Sequence, residues 1–331
     1  MLDYLQNPPI CAPLMQKLIA QDRPNYLAIT PSAGQKISQE NKELSHFLGC
    51  EMARPFSFNL ESFYFLLSKL SQKYKVALVL SSHQMLYSAY LALPNKEAII
   101  PIIPDKKSGQ IDVKNALEKG ADCFLIPYLN EDILTLNLPL DETLKDVFTL
   151  WDISYALALG LPLPKNANLL IANGENLGLM RPFGIMAGKD ILDLGLYLEI
   201  ENLYGVFLEA IKLQGTPKEN QAQLFFEILK KELQEDCYCF FETPSNTLPL
   251  GLKGIKARNL IQSLIFDDIS LINGQECLFG FAKPSFVLQL MGYSENQARE
   301  LLSLSFKEKI EIDILAQKII QKYRQIKSLQ G

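Results

Sequence analysis

The sequence has few of the residues on which disulfide frameworks and metal sites depend. Its 331 residues include six cysteines and two histidines, without any CxxC pair, and His46 and His83 lie far from any cysteine pair. Cysteines this sparse exclude a disulfide scaffold and leave a structural zinc site without support. Cys237 and Cys239, two residues apart in a strand-like run, are therefore predicted to be buried structural thiols.

Long apolar runs and an excess of positive charge are also missing. No segment approaches the ~20 apolar residues of a membrane span. The opening MLDYLQNPP lacks the basic and apolar regions of a signal peptide. A formal net charge of -5 argues against binding to a phosphate backbone. We therefore expect a cytoplasmic protein that binds neither membranes nor nucleic acids.

Between about residues 75 and 189, continuous apolar strands alternate with helical stretches. This alternation is typical of a mostly parallel sheet covered by helices on both faces. The predicted strands are Lys75–Ser82, Ala98–Ile103, Cys123–Tyr128, Phe148–Ser154, Asn168–Asn173 and Gly184–Ala187. The predicted helices are Ser32–Leu48, Asn59–Gln72, Gln84–Ala92, Val113–Lys119 and Leu140–Val147.

After Lys189 the pattern changes to two long helices and a tail in which strands and helices alternate. Ser294 and Gln297 have the spacing of a capping box, which predicts a helix from Glu295. Pro284 suits the first turn of the preceding helix. The predicted architecture is a three-layer α/β/α large domain at 1–198 and a smaller C-terminal α/β domain at 199–331. The further predicted helices are Glu199–Leu213, Lys218–Gln234 and Glu308–Ser328.

The segment from Ile269 to Lys307 is the most informative stretch. It is predicted to form a strand, a loop with Cys277, two helices and a strand, which places a thiol on a loop beside a scaffold. The segment resembles the C-terminal signature of the cysteine desulfurases, class V aminotransferase-fold enzymes that use pyridoxal phosphate (PLP). The matching residues are Gly274, Cys277, Lys283-Pro284-Ser285, Val287-Leu288, Met291-Gly292, Ser294-Glu295 and Ala298-Arg299.

The resemblance continues through short motifs in the same order along the chain. It implies the fold of type I PLP-dependent transferases. It also implies that His83 stacks on the cofactor ring, Asn130 contacts its phenolic oxygen and Asp152 pairs with its pyridine nitrogen. The motifs are Leu2-Asp3-Tyr4, Thr30-Pro31-Ser32, Ser81-Ser82-His83, Leu129-Asn130-Glu131, Trp151-Asp152 and Gly160-Leu161-Pro162.

The sequence departs from the family at the positions that its chemistry needs. Asn176 stands where the family has the lysine that forms the Schiff base, and an amide cannot form that bond. The Gly-rich segment that reaches the neighbouring subunit's phosphate has no counterpart at 187–203. Four further residues differ: Phe58 and Leu60 in the family's phosphate-binding turn, Ser303 for the substrate-binding arginine, and Tyr155 for a cofactor-binding glutamine. No covalently bound cofactor is therefore expected, and PLP is suggested by resemblance only.

Each matching residue has a structural interpretation beside the functional one. His83 is either a satisfied structural histidine or a vestigial cofactor-site residue. Asp152 either caps a neighbouring loop or keeps a cofactor role, and Asn130 is predicted to be a turn residue. Cys277 is either inert or carries sulfur, and the neighbouring Glu276 raises a thiol's pKa, which opposes activation.

These observations favour a cysteine desulfurase-like pseudoenzyme that lacks the PLP-binding lysine. Its predicted role is to bind a partner or to accept sulfur at Cys277. The alternative is a PLP-dependent cysteine desulfurase or lyase that acts on a cysteine-like substrate with an unusual base. The resemblance implies a homodimer, or a complex with a desulfurase-type protein.

Overall fold

The computed structural model describes residues 2–20, 31–138, 140, 142–189, 200–215, 220–244, 246–275, 283–307 and 310–329. A seven-stranded sheet forms its centre, in the order β1-β7-β6-β5-β4-β2-β3. β7 runs antiparallel to both its neighbours, and the other pairs are parallel. The strands are β1 (Met52–Pro55), β2 (Val76–Val79), β3 (Ile99–Ile102), β4 (Cys123–Pro127), β5 (Phe148–Asp152), β6 (Leu169–Asn173) and β7 (Gly184–Gly188). The predicted mostly parallel sheet is confirmed.

Both faces of this sheet are buried, which is why its strands are continuously apolar. Successive residues of β2 alternate between two cores: Ala77 and Val79 pack on one face, and Val76 and Leu78 on the other. α1 (Ala12–Ile19), α2 (Pro31–Leu48), α5 (Val113–Glu118), α6 (Ser154–Leu159) and α7 (Leu203–Lys212) contribute to the first core. α3 (Leu60–Lys73) and α4 (Gln84–Ala92) contribute to the second. The predicted three layers are confirmed.

A second, antiparallel sheet has the order β10-β9-β8. Its strands are β8 (Cys237–Cys239), β9 (Thr247–Leu252) and β10 (Leu301–Ser305). A separate core joins it to α8 (Gln221–Leu233), α9 (Ala257–Leu264) and α12 (Ile312–Ser328). Two short helices, α10 (Phe286–Leu290) and α11 (Glu295–Glu300), precede β10. Cys237 is fully buried and Cys239 partly buried, and both are free thiols.

The two sheets do not divide the chain simply by sequence. Leu2 belongs to the core of the small sheet, where its N–H donates to Ser270 O (2.9 Å) and its carbonyl accepts from Ser305 N (2.8 Å). α7 packs on the large sheet's first face. The predicted boundary at 198/199 falls within residues 190–199, which lie outside the described residues, and the division stays a prediction.

Three local predictions were wrong. Residues 142–147 form turns: Leu144 N donates to Leu140 O, but no helix follows, because tertiary packing can override a local helical pattern. α10 begins at Phe286 with Ser285 as its N-cap, so Pro284 lies before the helix. Residues 269–272 form no strand, since their backbone hydrogen bonds go singly to Leu264, Leu2 and Ser303.

Two kinds of feature are absent from the described residues. No helix among them is long and apolar enough to cross a membrane. No group of three or more His, Cys, Asp or Glu side chains among them has the geometry to hold a metal ion.

Candidate functional site

The turns that follow β2, β4, β5 and β6 meet at one edge of the large sheet, since the carboxyl ends of parallel strands lie together. His83, Asn130, Asp152 and Asn176 lie on these turns, and we call this region the strand-end cluster. Hydrogen bonds connect neighbouring turns. Ser81 Oγ donates to Asn130 Oδ1 (2.5 Å), and Asn173 N donates to Ser154 Oγ (2.8 Å). The structure thus brings these predicted residues to one edge.

His83 is buried at the start of α4, where its Nδ1 accepts a hydrogen bond from Met85 N (3.2 Å). The Phe58 ring meets the imidazole edge-on, with 5.3 Å between ring centroids. The Phe63 ring lies 5.8 Å away at a tilt of 32°. Burial, with a smaller effect from Arg181, lowers the pKa of His83 to about 3. The imidazole is therefore a neutral helix cap among aromatic rings.

Phe58 fills the space beside His83. Its ring is buried and packs edge-on against Phe56 and Phe63, with centroid distances of 5.6 Å and 5.2 Å. A Cβ on Gly184 would come within 2.9 Å of this ring, so the strand has a glycine there. Leu60, by contrast, is 38% exposed at the start of α3. Of these two bulky residues, which align with the family's phosphate-binding turn, only Phe58 is buried.

Asn130 is fully buried, and its side-chain amide is occupied by protein groups. Its Nδ2 lies within hydrogen-bond distance of Thr135 Oγ1 (2.8 Å), Asn137 Oδ1 (2.9 Å) and Gly109 O (3.2 Å). Its Oδ1 accepts from Ser81 Oγ and from Asn137 Nδ2 (3.0 Å). Buried amides need such partners. Asn130 therefore holds the turn after β4 together, which supports its interpretation as a turn residue.

Asp152 caps the turn that leads into α6. Its Oδ1 accepts from Ser154 N (3.0 Å) and Ser154 Oγ (2.5 Å). Burial raises the pKa of Asp152 to about 6, although the bonds from Ser154 act in the opposite direction. This geometry agrees with the loop-capping interpretation of Asp152.

Glu131 and Tyr155 form a buried pair that the sequence did not predict. The Tyr155 hydroxyl donates a short hydrogen bond to Glu131 Oε2, and Gln6 Nε2 approaches the same oxygen at 3.5 Å. Burial raises the pKa of Glu131 well above its usual range, and burial beside Glu131 does the same for Tyr155. Tyr155 stands where the resemblance implies a cofactor-binding glutamine, and its hydroxyl is used within the protein.

Asn176 is buried in a 3-10 turn over Gly174–Leu177, immediately after β6. Its Nδ2 donates to Leu5 O (2.8 Å), which connects this turn to the N-terminal segment. The neighbouring Glu175 pairs with Arg181, whose Nε lies 2.6 Å and 2.5 Å from the two carboxylate oxygens. The position of the family's lysine is thus occupied by an amide with a structural partner.

Asp132 joins this edge of the large sheet to the C-terminal part of the chain. Its carboxylate is fully buried and accepts from Gln275 N (2.8 Å) and Ser285 Oγ (2.5 Å). Its carbonyl accepts from Ser303 Oγ (2.7 Å), the residue at the family's arginine position. A Cβ on Gly274 would come within 2.6 Å of this carboxylate. The sequence did not point to Asp132, because no local pattern distinguishes it from an aspartate on a solvent-exposed loop.

Gln275 and Ser285, which donate to the Asp132 carboxylate, also flank the segment that contains Cys277. The Gln275 side chain accepts from Gln84 N (2.8 Å) and approaches Ser82 O (3.3 Å), on either side of His83. Cys277 itself, within 276–282, lies outside the described residues, so its predicted role stays a prediction.

The residues of the strand-end cluster do not fit PLP as the family binds it. Asn176 offers no amine and donates to Leu5 O. Phe58 occupies the space beside His83. Ser303 is buried, and its hydroxyl donates to Asp132 O. The side chains at the lysine, phosphate and carboxylate positions all contact protein groups.

Comparison with known proteins shows the fold. No protein-family model and no curated protein matches the sequence. Among solved structures, a NifS-like protein is similar with a TM-score of 0.73 at 14% identity, covering 96% of this chain and 97% of that one. A NifS-like protein from Rickettsia africae gives 0.71 at 13% identity, covering 98% of both. The apo cysteine desulfurase from Thermococcus onnurineus NA1 gives a TM-score of 0.70 at 14% identity, covering 95% of this chain and 91% of that one.

An aspartate aminotransferase from Thermus thermophilus is also similar, with a TM-score of 0.65 at 11% identity over 97% of this chain and 98% of that one. The chain therefore has a cysteine desulfurase-like fold, within the wider fold of PLP-dependent aminotransferases. The fold expected from the sequence motifs is confirmed along nearly the whole chain.

Proposed function

We propose that this chain is a cysteine desulfurase-like pseudoenzyme that does not form a covalent bond with PLP. One observation carries the proposal: the residue at the position of the Schiff-base lysine is Asn176, whose amide donates to Leu5 O. A PLP enzyme of this fold needs an amine there, both to hold the cofactor and to move protons.

The surrounding contacts support the proposal. Phe58 packs against His83, and Ser303 lies buried at the position where an arginine would bind the substrate carboxylate. Asp152 lies at the end of β5, where the resemblance places the partner of the pyridine nitrogen. Its Oδ1 is bonded to Ser154. A single substitution could be offset elsewhere, but restoring PLP chemistry here would require changes at several buried positions.

The test is the absorbance of the purified protein after addition of PLP, followed by borohydride reduction and mass spectrometry. We expect no yellow aldimine band that survives desalting, and no pyridoxyl group specific to one lysine. A lysine-specific adduct together with PLP-dependent release of sulfide from cysteine would instead establish the alternative, an active desulfurase or lyase.

We further propose that the chain acts by accepting sulfur at Cys277 or by binding a desulfurase-type partner. In the transfer, the Cys277 thiolate would attack the outer sulfur of a donor persulfide. The donor's S–S bond would break, and the donor would leave as a thiolate. Mass spectrometry after incubation with an active cysteine desulfurase and cysteine should find a persulfide on Cys277.

The Cys277→Ser variant is the matched control, and the five other cysteines serve as internal references. Equal labelling of all thiols, or none on Cys277, rules out the acceptor role. Light scattering of the protein alone and mixed with the desulfurase tests the proposed homodimer and hetero-complex. A monomer in both samples would contradict the proposed assemblies.

A further inference from the structure

A cavity of about 890 Å³ lies between three parts of the chain. They are the turn at 105–110 after β3, the first turns of α8, and the connection from β8 to β9. The first part follows a strand of the large sheet, and the other two belong to the small sheet and its core. Ligand pockets usually have volumes of about 300–1,000 Å³ and often occur at such junctions. The size and place of this cavity therefore suit a small-molecule site.

Hydrogen bonds fix the wall that follows β3. Asp105 Oδ1 accepts from Ser108 N (2.8 Å), Ser108 Oγ (2.9 Å) and Lys107 N (3.0 Å). Gly109 has a φ of 67°, and a Cβ there would come within 2.8 Å of the Phe241 ring. The turn thus packs directly against the opposite wall. Its backbone is therefore held in place, which lowers the cost of ordering it around a ligand.

Aromatic side chains form the apolar part of the cavity. Phe226, Phe240 and Phe241 line it; Phe241 is buried, and the other two are half-buried. The Phe240 ring also packs on Tyr238 and Tyr293, with centroid distances of 4.9 Å and 5.6 Å. A ring held by its neighbours and still partly exposed offers a rigid apolar surface, which suits an aromatic group of a ligand.

Several polar groups of the cavity are already bonded within the protein. The Cys239 thiol donates to Phe241 O (2.9 Å), and the Thr243 hydroxyl donates to Thr247 O (2.8 Å). Asn220 Oδ1 accepts from the backbone of α8 as its N-cap. These groups hold the walls together and do not select a ligand.

Three exposed side chains of the lining make no hydrogen bond or ion pair within the described part of the chain. They are those of Lys107, Gln110 and Glu242. Lys107 lies close enough to Asp105 to lower the pKa of that carboxyl, after the larger effect of the bonds from Ser108. The ammonium, the amide and the carboxylate therefore remain able to bond to a ligand.

The two charged groups belong to opposite walls. Lys107 lies on the turn after β3, and Glu242 lies on the connection from β8 to β9. Burial raises the pKa of Cys239 to about 11, and the Glu242 carboxylate adds to this, so that carboxylate lies near a thiol of the lining. Lys107 disfavours a purely cationic ligand, and Glu242 disfavours a purely anionic one. A ligand that carries both charges suits both walls.

We propose that this cavity binds a zwitterion with an aromatic side chain, of the size of an amino acid or a dipeptide. Its carboxylate pairs with Lys107, its ammonium pairs with Glu242, and its ring packs on Phe226 and Phe240. The site uses neither Asn176 nor Cys277, so it stands or fails separately from the proposed function.

The test is isothermal titration calorimetry of the 331-residue chain with the dipeptide Ala-Phe, at neutral pH and low ionic strength. Ala-Phe should bind saturably. N-acetyl-Ala-Phe lacks the ammonium and Ala-Phe amide lacks the carboxylate, and each should bind about twofold to fivefold more weakly, because exposed ion pairs contribute little. Free phenylalanine is the second ligand: binding tighter than that of Ala-Phe assigns the site to an amino acid, and weaker binding assigns it to a peptide.

Variants connect each charge to its partner. Glu242→Gln should weaken Ala-Phe about twofold to fivefold and leave the affinity for N-acetyl-Ala-Phe unchanged. Lys107→Met should weaken Ala-Phe similarly and leave the affinity for Ala-Phe amide unchanged. Phe240→Leu should weaken all three dipeptides about fivefold, because it removes an aromatic face. Circular dichroism during heating checks that each variant is folded.

Lys114→Met and Glu118→Gln are the matched controls. Both residues are exposed on α5 and do not line the cavity, so Ala-Phe should bind these variants as it binds the wild type. Three results overturn the proposal. They are no saturable binding of either Ala-Phe or phenylalanine, equal affinity for Ala-Phe and both of its blocked forms, or unchanged Ala-Phe affinity in both charge variants.

Discussion

The strand-end cluster and the C-terminal scaffold, residues 283–300, both align with motifs of the cysteine desulfurases, but they use their side chains in different ways. In the scaffold the sequence motifs match closely, and the expected capping box of Ser294 and Gln297 forms at the start of α11. In the strand-end cluster the chain positions align with the family's motifs, but the side chains form hydrogen bonds to one another or to the backbone. The same strands and turns can therefore hold side chains whose hydrogen bonds go to other groups of the protein.

Asp132 connects the two regions, and its removal should have the largest effect. Asp132→Ala leaves Gln275 N and Ser285 Oγ without their buried acceptor, so we expect a loss of about 3–5 kcal/mol in the free energy of unfolding. Urea denaturation measures it. Asp132→Asn keeps one acceptor oxygen and tolerates the positive φ of 63°, so it should lose less. A loss below 1 kcal/mol for Asp132→Ala would disprove this connection.

The next largest effect concerns the acid stability contributed by His83. Because burial lowers its pKa from 6.5 to about 3, the folded state binds fewer protons, and stability is lost as pH falls below 6.5. Between pH 6.5 and 4 the loss should be about 3 kcal/mol. His83→Asn keeps a cap acceptor without this titration and should remove the loss.

Proton NMR can follow both imidazoles directly, since the chain has only two histidines. His46→Gln is the matched control because His46 is exposed. A His83 resonance that titrates near 6.5 would contradict the neutral, buried imidazole.

The stability contributed by Asp152 should depend on pH in the opposite direction to that contributed by His83. Its pKa is raised from 3.8 to about 6, so the stability linked to its protonated form is present below pH 3.8 and lost as pH rises through 6. Asp152→Asn keeps an oxygen for Ser154 and carries no charge. It should be more stable than the wild type at pH 7 by at most about 3 kcal/mol, and equal to it below pH 4. A difference in stability between the two proteins that does not change with pH would show that it does not come from the titration of Asp152.

The smallest effect belongs to the scaffold. Ser294→Ala removes the N-cap acceptor of α11 and should cost about 1 kcal/mol in the free energy of unfolding. Ser328→Ala, at an exposed position near the end of α12, is the control and should have a negligible effect. If Ser294→Ala destabilised the protein as much as Asp132→Ala, the proposed contrast between an exposed local cap and a buried long-range link would be wrong.

The sequence predicted most of the architecture because its signals there are local. Apolar runs predicted six of the seven strands of the large sheet, all except β1, and the capping box placed the start of α11 to the residue. The predicted helix over the eight residues Leu140–Val147 is wrong because apolar spacing is a weak guide to backbone conformation, which tertiary packing can override.

The candidate site was predictable only in part. The motifs located His83, Asn130, Asp152 and Asn176 on turns that meet at one edge, and the capping interpretation of Asp152 agrees with its bonds to Ser154. Their partners were not predictable. The Asp132 carboxylate bonds to groups 143 and 153 residues away in sequence, and no local pattern records such a pairing.

The pairing of Leu2 with the small sheet has a consequence for how the chain folds during synthesis. Leu5 N donates to Ser305 Oγ across 300 residues, and Leu2 lies in the core that β10 completes. At roughly 5–20 residues per second, the ribosome makes Ser305 about 15–60 s after Leu2. The large sheet can assemble in that interval and cover Tyr4 and Leu5, which belong to its first core, but Leu2 must wait for β10 before its own core is complete.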